Sequence, residues 1–252
     1  MKILRILILT AILLAPAASR AAEHRYDVLS KLLTPFLQVF GKNLKNPNRA
    51  VTLSLRLEKM SGLPQALAGT RAELALQAPD QLLVRGPLLG EEITLCRRGQ
   101  ELWAAPGAKL QALLALAAVR KKLPPLDPEV RLEPFALPLP EKQLVFLPAL
   151  FQVREAGAEA IDGEECRVLD LTLMPELERS LEEKGWAARV WVRADYKPAR
   201  LVVTRPGWEI AVRFEKVTFS PKLPDSTWQP PDADVLKLDP PRFQQLLRAL
   251  TR

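Results

Sequence analysis

The chain has 252 residues and a formal net charge of +7, which is enough for one large domain or two small ones. Basic residues are scattered among acidic ones and are not interleaved with aromatic residues, so binding to nucleic acid is not indicated. One histidine and two cysteines are too few for a metal site, and no glycine-rich phosphate-binding loop is present. We therefore expect no metal, no cofactor and no catalytic residues, and predict that the protein is not an enzyme.

The N-terminal segment has the pattern of a secretory signal peptide. Lys2 and Arg5 precede an apolar run from 6 to 18, and small residues follow at the cleavage positions. The run is shorter than the ~20 residues that span a bilayer, although an uncleaved anchor is the alternative. We expect residues 1–21 to be removed and the mature protein to be soluble in the periplasm, with its formal charge lowered by three.

The mature chain begins with a predicted helix followed by a strand. Apolar residues recur at helical spacing from Asp27 to Phe40, and Pro35 should kink or split this helix. From Val51 to Glu58 apolar and polar residues alternate, which is typical of a half-buried strand.

Residues 70–107 predict a meander of short antiparallel strands. Apolar and polar residues alternate in each strand, and Ala-Pro-Asp, Gly-Pro and Arg-Gly sequences mark the turns. The apolar positions are Ala72, Leu74, Leu76, Leu82, Val84, Ile93 and Leu95. A meander with one apolar face must cover that face or bind something on it.

Two segments that follow the meander are candidates to cover its apolar face. Residues 108–119 predict a helix that is apolar nearly all round, which must be buried or cover an apolar cavity. Prolines recur from Leu123 to Pro148 and exclude a long helix or a central strand. This second segment predicts an ordered, extended loop over apolar surface.

A second group of strands begins at Phe151. Strands are predicted at 151–153, 166–173, 188–193, 199–205 and 208–219, with a short helix at 175–184 and a terminal helix that carries Phe243, Leu246, Leu247 and Leu250. In the last strand the apolar face changes parity between Phe214 and Val217, which a β-bulge near Glu215 would explain. We predict nine or ten strands and three or four helices in a single domain, residues 22–252.

The few residues that could serve in catalysis or metal binding are poorly placed for these functions. The only histidine, His24, lies close to the predicted cleavage site, in a segment expected to fray. Neighbouring glutamates occur as pairs, but neighbours on a strand point to opposite faces and cannot form a carboxylate pair. Cys96 and Cys166 lie on separate predicted strands, and the sequence leaves open whether they form a disulfide or remain buried thiols.

Four segments carry a family resemblance. PDQLLVRGPLLGEEITLCRRGQELWAAPG contains a Pro-Asp turn, two apolar strands, a G-x-x-L-W turn and a proline; AIDGEECRVLDLTLMPE, VWVRADYKPARLVV and KVTFSPKLPDSTWQPPDADV follow in order. In content and order, these segments resemble the LolA/LolB-like family over roughly Ala50 to Val235.

The resemblance implies an α+β, mainly antiparallel fold: a curved, incomplete β-barrel with helices covering the apolar concave face. It also implies a periplasmic carrier that shields acyl chains of lipoproteins, or another lipid, in an apolar cavity for transfer to the outer membrane. An inner-membrane donor and an outer-membrane acceptor would be its partners, and we expect a monomer. The arginine that latches the lid in the best-known carriers precedes the first proline, and here Ala78 stands in that place. The resemblance therefore does not decide whether this protein has a latched lid.

The predicted cavity lining combines apolar strand positions with three tryptophans. It comprises Leu53, Leu55, Leu74, Leu76, Leu82, Val84, Ile93, Leu95, Trp103, Trp191, Trp208 and Ile210. For each of these residues the alternative is ordinary core packing. The alternative function is a sensor or interaction module on the same fold that binds a peptide or partner protein, which exposed edge strands would favour. An enzyme would need polar groups that converge in a pocket.

Overall fold

The computed structural model describes residues 24–41, 48–61, 68–88, 90–121, 129, 131–135, 146, 148–181, 185–231 and 234–243. The helices are α1 (Arg25–Phe40), α2 (Gly107–Lys121) and α3 (Pro175–Leu181). The strands are β1 (Ala50–Ser61), β2 (Arg71–Gln77), β3 (Gln81–Leu88), β4 (Glu91–Arg98), β5 (Glu101–Ala105), β6 (Phe151–Ile161), β7 (Glu164–Leu173), β8 (Ala187–Val192), β9 (Pro198–Arg205), β10 (Trp208–Ser220) and β11 (Leu236–Leu238). A short 3-10 helix, Asp225–Trp228, precedes β11, and a helical turn begins at 240.

The eleven strands of the described residues belong to one open, curved antiparallel sheet in the order β11-β5-β4-β3-β2-β1-β10-β9-β8-β7-β6. The first meander, β1 to β5, joins the second group of strands where β1 pairs with β10. This confirms the predicted class, a mainly antiparallel fold with a curved, incomplete barrel, and adds β11 as a strand that was not predicted. The predicted signal peptide, most of the proline-rich loop and residues 244–252 lie outside the described residues.

The β-bulge predicted near Glu215 is confirmed. Ser54 lies opposite Lys216 whereas Leu55 lies opposite Phe214, so Glu215 is the extra residue. A second register shift, between Leu57 and Lys59, makes Glu58 an extra residue of β1. Bulges bend a strand and increase its twist, and both of these lie at the centre of the sheet.

Helix α1 covers one face of the sheet, which we call the helix face. Its buried residues Leu29 and Leu32 pack on strands β6 to β9, and Val39 packs with Val51 and Val217. The helix continues through Pro35 as one element, so the predicted split does not occur. Contacts on both sides of the proline hold the helix against the sheet.

Helix α2 covers the same face at the other end of the sheet. Leu110 is fully buried and packs with Ile93, Leu102 and Leu238. Ala112 and Ala115 on the same helix are exposed. Among the described side chains of this helix, burial is therefore found on the side that meets the apolar strand residues, although the sequence is apolar nearly all round.

The opposite face of the sheet has its own apolar clusters and many ion pairs. Ala75, Leu83, Cys96 and Trp103 pack beneath Trp228 of the 3-10 helix. A second cluster forms around Cys166, Val168 and Trp191. Both faces of the sheet are therefore partly buried. No helix of the described part of the chain has the length and apolar character needed to cross a membrane.

Candidate functional site

Apolar strand residues of the helix face form a continuous row across seven strands. From β10 to β11 the row is Val217, Leu53, Leu74, Val84, Leu95, Ala104 and Leu236. Directly opposed residues of antiparallel strands share a face and contact each other. Val217 packs in the cluster under α1, and Ala104 packs in the cluster under α2. The row therefore runs from one helix to the other.

The middle of this row is less buried than Val217 of β10 and Ala104 of β5, which pack under the two helices. Val217 is 6% exposed and Ala104 is fully buried, whereas the residues between them are only half-buried. We call eight of the half-buried apolar residues of the helix face the central band: Leu53, Leu55, Leu74, Leu76, Leu82, Val84, Leu95 and Ile210. An apolar strip that is covered at both ends and partly open between them can take an apolar ligand without losing its packed core.

Ten of the twelve predicted lining residues lie on the helix face. Eight form the central band, and the other two are Ile93 and Trp208. Ile93 is buried against α2, whereas Trp208 is half-buried and makes an edge-to-face contact with Trp186. Contact of these residues with a ligand stays a prediction.

The other two predicted lining residues, Trp103 and Trp191, lie on the opposite face. Trp103 is 8% exposed, and its Nε1 donates to the backbone oxygen of Trp228 at 3.1 Å. Trp191 is 3% exposed, and its Nε1 donates to Oε2 of Glu159 at 2.8 Å. Because Ala104 and Val190 already point to the helix face, strand alternation directs these neighbouring tryptophans away from it. Both tryptophans are therefore buried on the face opposite the central band, and their contact with a ligand stays a prediction.

A separate apolar pocket of about 440 Å³ lies at the β6 to β9 end of the helix face. We call it the tryptophan pocket; it is lined by Phe151, Leu171, Leu173, Trp186, Ala187, Ala188 and Val203. It was not predicted, because its walls come from strands whose pairing the sequence does not specify. The available signal was the alternation of Leu169, Leu171 and Leu173, followed by Trp186.

Arg97 is a buried charged residue on the helix face. Arg97 of β4 lies directly opposite Leu82 of β3 and Leu102 of β5, and it is only 8% exposed. Its Nη2 donates to the backbone oxygens of Leu132 at 3.1 Å and Glu133 at 2.6 Å. Burial lowers the pKa of Arg97, and Asp80 and Glu133 oppose the shift. A guanidinium nevertheless stays charged in proteins, so these are charge-assisted hydrogen bonds.

The segment that Arg97 holds, residues 131–135, comes from the proline-rich region; we call it the strap. The Arg97 guanidinium also lies 4.6 Å from the centroid of the Phe135 ring. Gln100 donates from Nε2 to the oxygen of Leu132 at 2.7 Å and accepts from its nitrogen at 3.0 Å. Phe135 N donates to the oxygen of Pro79 at 2.6 Å. Several polar contacts therefore hold the strap to the end of the sheet.

Ala78 stands in the place that the family resemblance gives to a latching arginine. Its side chain packs in the apolar cluster of Val39, Val51 and Val217. The side-chain contacts to the strap come instead from Arg97 of β4, two strands from β2 in the sheet order, and from Gln100 in the turn after β4.

Cys96 and Cys166 are free and buried in different clusters, so they form no disulfide. Burial raises the pKa of Cys96 to about 11, and the charge of Arg98 opposes this shift. Burial and the neighbouring Glu164 raise the pKa of Cys166 as well. Both thiols are therefore protonated at neutral pH and poor nucleophiles. Within the described ranges, no cluster of three or more His, Cys, Asp or Glu side chains could hold a metal ion.

No model of a known protein family matches the sequence, and no curated protein is detectably similar to it. Among solved structures, lipoprotein LppX of Mycobacterium tuberculosis matches at 14% identity over 77% of this chain and 97% of LppX, with a TM-score of 0.40. The complex of Pseudomonas aeruginosa MucA and MucB matches at 12% identity over 81% of this chain and 61% of the matched chain, with a TM-score of 0.42.

The LolA superfamily protein NE2245 of Nitrosomonas europaea matches at 13% identity over 79% of this chain and 96% of NE2245, with a TM-score of 0.29. This chain therefore spans less than two thirds of the matched chain in the MucA and MucB complex, but nearly all of the other two proteins. The chain has a distant structural similarity to proteins that include a LolA superfamily member, and its sequence gives no family assignment.

Proposed function

We propose that this protein is a periplasmic carrier that binds acyl chains of lipoproteins, or another lipid, on its central band and shields them from water for transfer to the outer membrane. The observation that supports this most directly is the half-buried apolar row between the two helix-covered ends of one face. Burial of each methylene group is worth about 0.8 kcal/mol, so even part of one acyl chain would gain several kcal/mol there.

A carrier also needs a cover that can be removed for release. The strap is held by hydrogen bonds and a cation–π contact from Arg97 and Gln100, together with the contact of Leu132 with the α2 cluster. Polar contacts of this kind can exchange with water when the strap lifts, whereas the strands beneath it keep their ladder hydrogen bonds. The strap is therefore the cover that we assign to the carrier.

The second candidate, a module that binds a peptide or partner protein, would be favoured by exposed edge strands. The outer strand β6 is exposed from Arg154 to Ala160, but it has a register shift around Gly157 and carries Glu155 and Glu159. Bulges and charged residues on edge strands oppose the addition of another strand. The other outer strand, β11, has only three residues. Both edges therefore support the carrier more than the partner-binding module.

The experiment is native mass spectrometry of protein purified without detergent, followed by organic extraction of bound lipid. Val84→Glu places a charge in the central band and should abolish co-purification of lipid. Thr94→Glu is the matched control, since Thr94 is half-buried on the opposite face of the neighbouring strand and contacts Arg85. Circular dichroism must show that both variants are folded. A wild-type protein that is empty and also refuses added lipid and lipoprotein would reject the carrier function.

A further inference from the structure

A further pocket, of about 440 Å³, lies on the opposite face of the sheet beside the 3-10 helix. Strands β1 to β5 and β10 form its base, and the segment from Ser226 to Pro231 forms one wall. We call it the hydroxyl pocket, after the hydroxyl side chains that line it: Thr52, Ser54, Thr94, Ser226 and Thr227.

The base of the hydroxyl pocket contains a polar row that crosses neighbouring strands. Its residues lie opposite one another in turn from β10 to β4: Lys216, Ser54, Glu73, Arg85 and Thr94. Directly opposed side chains on one face of an antiparallel sheet are close enough to contact the same ligand. Two cations and one carboxylate therefore share this row with two hydroxyl groups.

The next row of the same face gives the pocket an apolar floor. Ala75 and Leu83 lie two residues along their strands from Glu73 and Arg85, so they point to the same face. Together with Trp103 they line the pocket and pack in the apolar cluster beneath the 3-10 helix. The pocket thus combines an apolar floor with a row of polar groups at its side.

The polar groups of this pocket have few or weak partners. Within the described part of the chain, no carboxylate pairs with Lys216, and the hydroxyls of Ser54 and Ser226 have no hydrogen-bond partner. Nη1 of Arg85 lies 3.4 Å from Oε2 of Glu73, which is longer than an ordinary hydrogen bond of this kind. A ligand could therefore bind these groups without breaking strong internal contacts.

These features do not suit an acyl chain or a peptide strand. An acyl chain would cover the hydroxyl and charged groups without pairing them, and burial of unpaired polar groups is unfavourable. Strands β1 to β4 lie inside the sheet with neighbours on both sides, so their backbone groups cannot take up an added strand. A sugar fits better, since its hydroxyls donate and accept as those of serine and threonine do, and its C–H groups can pack on an apolar floor.

We propose that the hydroxyl pocket binds an acidic saccharide, whose carboxylate or phosphate pairs with Lys216 and whose hydroxyls pair with the serine and threonine side chains. With two cations and one carboxylate in its lining, the pocket favours an anion. Its volume of about 440 Å³ lies within the range of small-molecule sites, ~300–1,000 Å³. This binding is separate from the proposed carrier function, because the central band lies on the other face of the sheet.

NMR titration of isotope-labelled protein tests the binding. The ligands are glucuronic acid, a glucose phosphate, glucose and inorganic phosphate. The indole N–H of Trp103 reports on the pocket, whereas that of Trp191, in a different cluster of the same face, is the internal control. We expect both acidic sugars to shift the Trp103 resonance and to bind more tightly than glucose or inorganic phosphate, with the Trp191 resonance unchanged.

The charge and the hydroxyls are tested separately. Lys216→Gln should weaken binding of both acidic sugars about three- to tenfold, the size of one charged contact at a partly exposed site, with glucose unchanged. Lys216→Arg keeps the charge and should retain most of the affinity. Ser54→Ala should weaken binding of all three sugars, since it removes a hydroxyl. Lys237→Gln is the control, because Lys237 is an exposed lysine of the same face that does not line the pocket.

Three outcomes would overturn the proposal. If Lys216→Gln binds the acidic sugars as tightly as wild type does, Lys216 does not recognise the anion. If inorganic phosphate binds as tightly as the glucose phosphate, the pocket does not recognise the sugar. If no ligand shifts the Trp103 resonance, the pocket is not a saccharide site. None of these results bears on the carrier function, which Val84→Glu tests by the loss of co-purified lipid.

Discussion

Glu58 and Glu215 are reciprocal: each is the extra residue of one bulge in the β1–β10 pair, and each is bound by two arginines. Glu58 of β1 accepts from Nε of Arg200 at 2.6 Å and Nε of Arg213 at 2.5 Å, on β9 and β10. Glu215 of β10 accepts from Nε of Arg56 and Nε of Arg71, both at 3.1 Å, on β1 and β2. The bulges that bend the centre of the sheet therefore also join four strands across it by ion pairs.

Replacement of Glu58 should destabilise the fold more than replacement of Glu215. The Glu58 side chain is 19% exposed and its contacts are shorter, whereas that of Glu215 is 28% exposed. Glu58→Gln removes the carboxylate that Arg200 and Arg213 share, although Arg213 keeps its pair with Asp162. The loss should cost about 1–3 kcal/mol. Urea unfolding measures the difference, with Glu73→Gln, an exposed single pair, as the control. Equal midpoints for all three variants would contradict the role of the bulge glutamates.

Acid should remove the contribution of Glu58 to the free energy of unfolding. Burial raises the pKa of Glu58, but hydrogen bonds and charges from Arg200 and Arg213 outweigh burial and lower it below the ordinary 4.5. A folded-state pKa below the unfolded value means that the stabilisation is complete above pH 4.5 and is lost as pH falls through the folded value. The free energy of unfolding should therefore fall more steeply below pH 4.5 in wild type than in Glu58→Gln. Parallel curves would exclude this linkage.

The two buried thiols should react slowly in the native protein. Cys96 has a pKa raised to about 11 and Cys166 a raised pKa, both with burial as the main cause. We expect native protein at pH 8 to resist alkylation, and denatured protein to take up two alkyl groups without any reductant. Mass spectrometry counts the added groups. A denatured protein that requires reductant before it can be alkylated would instead contain a disulfide.

The strand pattern of the sheet was largely predictable from sequence, because one face of each central strand is more apolar than the other. Even the bulge at Glu215 follows from the change of parity between Phe214 and Val217. The bulge at Glu58 was not predicted. Met60 is the one apolar residue of β1 after Glu58, and a single residue is too few to show that the apolar positions have changed from odd to even numbers. Strand β11 was missed as well, because its three residues are too few to show a period.

The residues of the candidate binding face were predictable from sequence only in strands whose two faces differ in apolar character. In β5 and β8 the runs Leu102-Trp103-Ala104 and Val190-Trp191-Val192 are apolar on both faces, because both faces of the sheet are buried there. Alternation then gives no preferred side, so the sequence does not reveal that the two tryptophans lie on the face opposite the central band. Arg97 could not be recognised either, because its partners in the strap are backbone groups about 35 residues away.

The last prediction concerns the strap and its link to ligand release. Arg97→Gln removes donors to Leu132 and Glu133 and the cation next to Phe135. We expect hydrogen exchange in residues 131–135 to speed up at least about tenfold, the equivalent of one lost charge-assisted hydrogen bond, with exchange in β2 and β3 unchanged.

Arg98→Gln is the control, because Arg98 is an exposed neighbour on the opposite face of the same strand. If the strap is the cover of the central band, lipid bound to Arg97→Gln should also transfer faster to acceptor vesicles than lipid bound to Arg98→Gln. Faster exchange in the strap without faster transfer would show that another segment covers the ligand. Unchanged exchange would mean that Gln100 and the packing of Leu132 hold the strap without the guanidinium.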